Sequence, residues 1–372
     1  MKIPLKHPLF KKDLILNKLR YSVITKFEDA VKKYNNDPDG KYIAVANETN
    51  ALEAILLYIN GGNLYHMNEM NEIIVASWSN PFVSTTIKRV GAKPVWCDVN
   101  RFGVPDVSTI KSHISDNTCA IIITHQMGVP CDIDAINELS NEYTIPIIED
   151  GSNAFGSEYE NNKIGKSLNP VILSFNSNNI LTIGEGAIIS VRSDAEETWL
   201  RSYIQGGIQT TDLQKQFINK LGGTYEMSYT NAEVGLIQLD NIDDIIKLTT
   251  AAAEYYDEKI KELNISGFGI ACGNIIPPYC TKYNWNDYHA LLSKKYIRNV
   301  VVEKLQTRGI FCDYDIQSMH SQPIFGDRAI LPSTDIFHKN GIRLPLFADI
   351  TTEEQDFVIQ SLKEVLDEFT IY

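Results

Sequence analysis

Several things are missing from this chain, and each absence removes a class of function. No apolar run approaches the length of a membrane span. The opening stretch MKIPLKHPLFKKD lacks the continuous apolar core of a signal peptide. The expectation is therefore a cytoplasmic protein with no membrane partner. Cysteine is sparse: Cys97, Cys119, Cys131, Cys272, Cys280 and Cys312 form no CxxC pair, which argues for core packing and against a disulfide framework or a zinc site. The seven histidines show no H-x-x-x-H or H-E-x-x-H spacing, so metal chemistry is not expected. Positive charge is in deficit, with 34 Lys and Arg against 47 Asp and Glu and a net charge of −13. That balance disfavours nucleic-acid binding through a general electrostatic field and is the charge of a soluble protein. Internal repeats and low-complexity linkers are also absent.

What is present is a chain of 372 residues, 44% hydrophobic and 22% charged. That is too long for one simple core and suits two domains, or one large domain with an appendage. Residues 1–245 alternate short apolar runs with helical patterns. The runs are KYIAVAN (41–47), NEIIVAS (71–77), KPVWCDV (93–99), TCAIIIT (118–124), IPIIED (145–150), VILSF (171–175) and AIISVR (187–192). Near-continuous β-branched runs of this length predict strands buried on both faces. Between several of them lie helical stretches such as ALEAILLYI (51–59) and DIDAINELSNEY (132–143). The alternation predicts an α/β fold: three layers, with a mostly parallel sheet between helices. From about residue 246 to 372 the pattern becomes a smaller C-terminal α+β domain. It opens on a long helix, 241–263, and holds a strand at 288–293 and helices at 301–309 and 352–369. Ligands of an open parallel sheet bind outside the carboxyl ends of its strands, so residues just after each strand are the candidates.

One such stretch, ILSFNSNNILTIGEG (172–186), has an apolar run, four polar residues and a Gly-Glu-Gly turn. Another is PIIEDGSNAFGSEYENNKIGK, in which Asp150 ends a strand. Together with THQMGVPCDIDAI (124–136), VGAKPVWCDV (90–99), NAEVGLIQLDNID (231–243), MHSQPIF (319–325) and RLPLFADITTEEQDFVI (343–359), these segments resemble, in number and order, the nucleotide-sugar aminotransferases named after DegT, DnrJ and StrS. Those are PLP enzymes of the aspartate-aminotransferase fold, the type I PLP-dependent transferases.

The resemblance implies roles for individual residues. Asp150 matches the carboxylate that pairs with the cofactor's pyridine nitrogen and keeps it protonated. Asn153 stands where the family has Gln or His beside the ring hydroxyl. Phe82, in NPFVSTT, is offered for the ring that stacks on the pyridine, and core packing is an equal reading of it. Thr49 and Asn50, in NETNALEAIL, fit the phosphate-binding helix start, and Ser174 fits the family's phosphate-binding serine. Thr224 matches the position from which a neighbouring subunit reaches the phosphate. His125 follows a strand and is the nearest candidate base, with a structural role as the alternative. Tyr314 and His320 are candidates for the mouth between domains, where the family binds a nucleotide sugar. A homodimer is implied, as is a place in surface-polysaccharide or deoxyamino-sugar biosynthesis.

The same alignment exposes departures. With Ser174, Phe175, Thr182 and the Gly-Glu-Gly turn in place, Asn179 falls on the family's Schiff-base lysine. An asparagine amide is neither a nucleophile nor a proton shuttle near neutral pH, and losing a proton-transfer group costs roughly 10²–10⁴ in rate. Glu48 replaces a glycine at the phosphate helix, and Glu226 replaces an arginine near Thr224. PLP or PMP, if bound, is therefore held without a covalent bond. Three readings stand open: a PLP- or PMP-using enzyme with impaired or altered chemistry, including a PMP-dependent sugar dehydratase type; a non-catalytic relative that binds a nucleotide sugar or partners an active paralogue; and an engineered lysine replacement.

Overall fold

The structure is a computed structural model that describes residues 22–61, 67–68, 70–210, 216–262, 268–270, 276–293, 296–314, 318–326 and 329–369. All seven apolar runs become strands of one sheet: β1 (Lys41–Val45), β2 (Glu72–Ala76), β3 (Lys93–Cys97), β4 (Thr118–Thr124), β5 (Ile147–Asp150), β6 (Val171–Ser174) and β7 (Ala187–Val191). Their order is β1-β7-β6-β5-β4-β2-β3. The pairs β2–β3, β2–β4, β4–β5 and β5–β6 are parallel. Strand β7 runs antiparallel to both β1 and β6. The reversal has a local cause. Residues 175–186 join β6 to β7 without a helix, and a parallel return needs a crossover, usually helical.

Side-chain alternation along the strands divides the core. Ile121 and Ile123 of β4 face a cluster with Ile74, Ala76 and Trp78, while Ile122 faces another with Ile73, Val75 and Ile148. The second cluster is closed by helix α1 (Glu48–Ile59), which buries Ala51, Leu52, Ala54, Ile55, Leu56 and Leu57. A third cluster packs Ala44, Leu173 and Ile188 beneath Phe27 of the helix Ser22–Tyr34. Layers on both faces explain why β5, β6 and β7 are buried end to end.

The long helical segment forms as expected, as Ile242–Glu262, and so does the closing helix Thr352–Glu368. Between them lies a smaller antiparallel sheet of β8 (Phe268–Ile270), β9 (Tyr288–Leu292), β10 (Asp313–Tyr314) and β11 (Gly341–Leu344), in the order β8-β9-β11-β10. The first core cluster continues from Ile74 and Trp78 of the large sheet into Tyr256, Tyr288, Leu344 and Val365. Asp98, just past β3, ties the two parts together. Its carboxylate accepts the Thr334 N–H (2.7 Å), the Thr334 hydroxyl (2.8 Å) and the Ser333 N–H (3.0 Å) at the start of helix Pro332–Asn340. Leu331, the cap residue of that helix, gives no side-chain hydrogen bond, so Asp98 supplies the cap from the other part of the chain.

Candidate functional site

The carboxyl ends of β1, β5 and β6 converge on one polar cluster. Asn47, extended at φ −165°, caps α1 by accepting the Asn50 N–H at 2.9 Å. Glu48 is the first residue of α1, where the helix dipole favours an anion. Its two oxygens are both engaged. Ser174 Oγ donates to one at 3.1 Å and Asn176 Nδ2 to the other at 3.2 Å. Thr49 and Asn50 complete the same first turn and are half-buried.

Asp150 stands at the end of β5 and is 1% exposed. One carboxylate oxygen accepts the Ser152 N–H at 3.1 Å. The other has no hydrogen-bond partner among the described residues. Burial raises the Asp150 carboxyl above its usual range; the bonds from Ser152 oppose this, and the nearby Glu48 charge adds to it.

Asparagine amides run in a chain to the strand end that carries Ser174. Asn80 donates to Asn153 Oδ1 (3.2 Å), Asn153 donates to Asn179 Oδ1 (3.1 Å), and Asn179 donates to the Ser174 carbonyl (2.9 Å). Asn179 is buried, whereas Asn178 is exposed. The loop beyond them is pinned by Asn286, which accepts the Ile180 N–H at 2.7 Å. Its closing glycine is closely packed: a Cβ at Gly186 would lie 2.4 Å from Ile183 Cδ1 and 2.9 Å from Met227 Cε, side-chain ends that would have to shift.

The other candidates fall at varying distances from this cluster. His125 is fully buried, and both of its ring nitrogens are engaged. Nδ1 accepts the Cys131 N–H at 3.0 Å, which leaves the ring proton on Nε2, 3.1 Å from Glu149 Oε2. Glu149 also takes Asn169 Nδ2 at 2.7 Å and the Ser167 hydroxyl, and it points to the face of β5 opposite Asp150. Phe82 sits in the first turn of helix Pro81–Arg89 and packs against the second core cluster. Thr224 is exposed and bridges Gln205, while Glu226 bridges Val45 and accepts the Gln205 amide at 2.9 Å. Both therefore flank the exit of β1 toward Glu48. His320 is buried against Ser77, just past β2. Its own N–H donates to Ser77 Oγ at 3.0 Å, and that hydroxyl donates back to Nδ1 at 2.7 Å. Tyr314 ends β10 opposite Ile342; its side chain lies outside the described residues.

Beside the cluster opens a cavity of about 720 Å³ between the large and small sheets, a size suited to a small organic ligand. Asn153, Asn176 and Asn178 line its large-sheet side, and Asp287, Asp313 and Arg343 its small-sheet side. Arg343 is held by Asp313 at 2.7 Å and approaches Asp287 at 3.7 Å. Asn176 is a site residue that motif reading passed over. Its signal was its place two residues after Ser174 in the same polar run. Asp287 and Arg343 come from a different sheet and had no local signature beyond R-L-P-L. No group of metal-ligating side chains occurs among the described residues.

These residues fit one half of a B6 cofactor and not the other. The unpartnered Asp150 oxygen suits a protonated ring nitrogen. The phosphate half does not fit, because the Glu48 carboxylate already takes the donors of Ser174 and Asn176.

Comparison with known proteins agrees with this architecture. Residues 16–363 match the model of the DegT/DnrJ/EryC1/StrS aminotransferase family. Among solved structures the chain superimposes on PseC of Helicobacter pylori, an aminotransferase involved in the biosynthesis of pseudoaminic acid. The TM-score is 0.89 at 20% identity, over 99% of this chain and 100% of that one. It also superimposes on the sugar aminotransferase CalS13 of Micromonospora echinospora (TM-score 0.86, 19% identity, 97% and 99% covered). A third match is DesV of S. venezuelae (TM-score 0.82, 20% identity, 94% and 90% covered). At such identities the likeness establishes the fold.

Proposed function

The chain belongs to the DegT/DnrJ/EryC1/StrS aminotransferase family, and from that premise we propose that it binds a nucleotide sugar in the cavity beside Asn153 and Asn176 and is crippled in ordinary transamination. The single observation that carries the reading is Asn179. By motif resemblance it falls where the family has its Schiff-base lysine, and its amide is spent on Asn153 and the Ser174 carbonyl. No amine stands there to attack a carbonyl or move a proton. What this chain's own residues do is bind and orient. Asn178 presents its amide to hydroxyl groups, and Asp287, Asp313 and Arg343 close the far wall. The partner class is a nucleotide-linked keto sugar, and the assembly is a homodimer that contributes Thr224 across its interface. The setting is deoxyamino-sugar or surface-polysaccharide biosynthesis.

One observation favours a second reading, in which the ring of PLP or PMP is still held without a covalent bond although Glu48 occupies the seat of its phosphate. The partnerless oxygen of Asp150 is an acceptor ready for a ring N–H. A thermal-shift panel of UDP-, dTDP- and GDP-sugars tests the first reading, since a bound ligand raises the melting temperature by mass action. Stabilisation by at least one is expected, and failure of all would remove it. Titration with PLP and PMP, followed by absorbance and melting temperature, tests the second.

A further inference from the structure

Glu48 and Asp150 are two carboxylates at one site, and among the described residues neither is paired with a lysine or arginine. They differ in their state. Asp150 keeps one oxygen unpartnered at 1% exposure. Glu48 has both oxygens satisfied by a hydroxyl and an amide, at the dipole-positive end of a twelve-residue helix. Those donors, with a helix N-terminus, make an anion site, and the anion in it is part of the chain. We propose that Glu48 is a built-in replacement for a ligand's phosphate. Its carboxylate is the anion that Ser174, Asn176 and the first turn of α1 hold, so this cup turns away a ligand's phosphate, and a group that donates a hydrogen bond to Asp150 is held beside it without one.

The physical case rests on tethering and on charge. A carboxylate fixed to the backbone loses no translational freedom on entering the cup, whereas a free phosphate does. A phosphate that displaced Glu48 would also leave that charge a few ångströms away, because the side chain cannot leave the helix start. Glutamine at this position would remove the charge and would point one N–H at the Asn176 amide, which is itself a donor. Glycine would empty the cup.

The inference rests on the reading of the neighbouring cavity as a ligand site and adds which chemistry the adjoining cluster of Glu48 and Asp150 accepts. It is tested on the full chain by calorimetry and thermal shift with three probes: inorganic phosphate, PMP and pyridoxamine, the last two differing only in the phosphate. PMP is expected to bind Glu48→Gly at least tenfold more tightly than it binds the wild type, and inorganic phosphate to stabilise the variant alone. Glu48→Gln should shift the same way, and it keeps the test decisive if the glycine variant folds poorly. Pyridoxamine should bind the wild type no more weakly than PMP does. Equal affinity of PMP for all three proteins, or no binding of PMP and phosphate to any of them, overturns the inference. Failure of every nucleotide sugar would count against the proposed function and would leave this comparison readable.

Discussion

Asn153 donates its amide N–H to Asn179 Oδ1 across 3.1 Å, and Asn179 hands its own N–H to the Ser174 carbonyl at 2.9 Å. The buried amide is therefore satisfied at both ends and links two strand termini. A lysine there must give up both bonds, at roughly 1 kcal/mol each. Asn179→Lys is thus expected to fold with a melting temperature a few degrees lower. It should also remain unable to hold PLP after borohydride treatment, because Glu48 still fills the phosphate cup. The double variant Asn179→Lys/Glu48→Gly should retain the label. Intact-protein mass spectrometry reads both outcomes, and labelling of the single variant to the same extent as the double would show that Glu48 is no obstacle.

Asp150 predicts a pH dependence. Burial raises its carboxyl above the unfolded value of 3.8, so between the unfolded and folded values the native state binds more protons. Stability from this group is present at acid pH and falls as pH rises through the folded value. Asp150→Asn abolishes that loss while its side-chain oxygen still accepts the Ser152 N–H. The variant is expected to gain stability at pH 7, on the scale of about 1–3 kcal/mol for a buried group without its partner, and to gain less near pH 4. Urea unfolding at the two pH values measures the difference; an equal gain at both would refute it.

The His125–Glu149 pair carries a different expectation. Glu149 is buried and gathers the imidazole, a hydroxyl and an amide. Glu149→Ala would leave those donors unsatisfied and is expected to cost about 1–3 kcal/mol for each one that stays buried without an acceptor. Ligand binding in the cavity should persist in whatever fraction remains folded, because Glu149 faces away from Asp150. A chemical denaturation midpoint and a binding isotherm together decide whether the role is architectural.

Asp98 caps a helix of the other sheet's neighbourhood with three hydrogen bonds. Removing a cap costs about 0.5–2 kcal/mol, and a charged acceptor with three donors belongs at the upper end. Asp98→Ala should lower stability by about 2 kcal/mol while Asp98→Asn recovers part of it. If alanine and asparagine were equally costly, the charge and not the cap geometry would be the source.

The sequence made the scaffold far more legible than the site. Every strand of the large sheet announced itself as a β-branched run, since burial on both faces forces that composition on β4, β5 and β7. The short hairpin Ile208–Thr210 with Gln216–Ile218, by contrast, has no repeating signal. Helix Pro81–Arg89, which carries Phe82, is not among the helices the sequence pattern predicts, although Pro at its first position is a helix start. Within the site, Asp150, Ser174, Asn153 and Asn179 were visible because they follow strands at motif spacing, and the fold brings them together. The partners of Glu48 were not visible. Ser174 and Asn176 lie more than a hundred residues away, and a hydrogen bond to a distant loop leaves no mark on local pattern. The threefold wall of Asp287, Asp313 and Arg343 depends on strand pairing in the small sheet and was equally silent.

The first core cluster runs without a break from Ile74 and Trp78 through Tyr256 and Tyr288 to Val365. None of the polar cluster of Glu48, Asp150, Asn153, Ser174, Asn176 and Asn179 belongs to it. Reactivity and rigidity are thus written in separate sets of positions. Side chains at the strand tips can therefore be exchanged while the solid behind them keeps its shape.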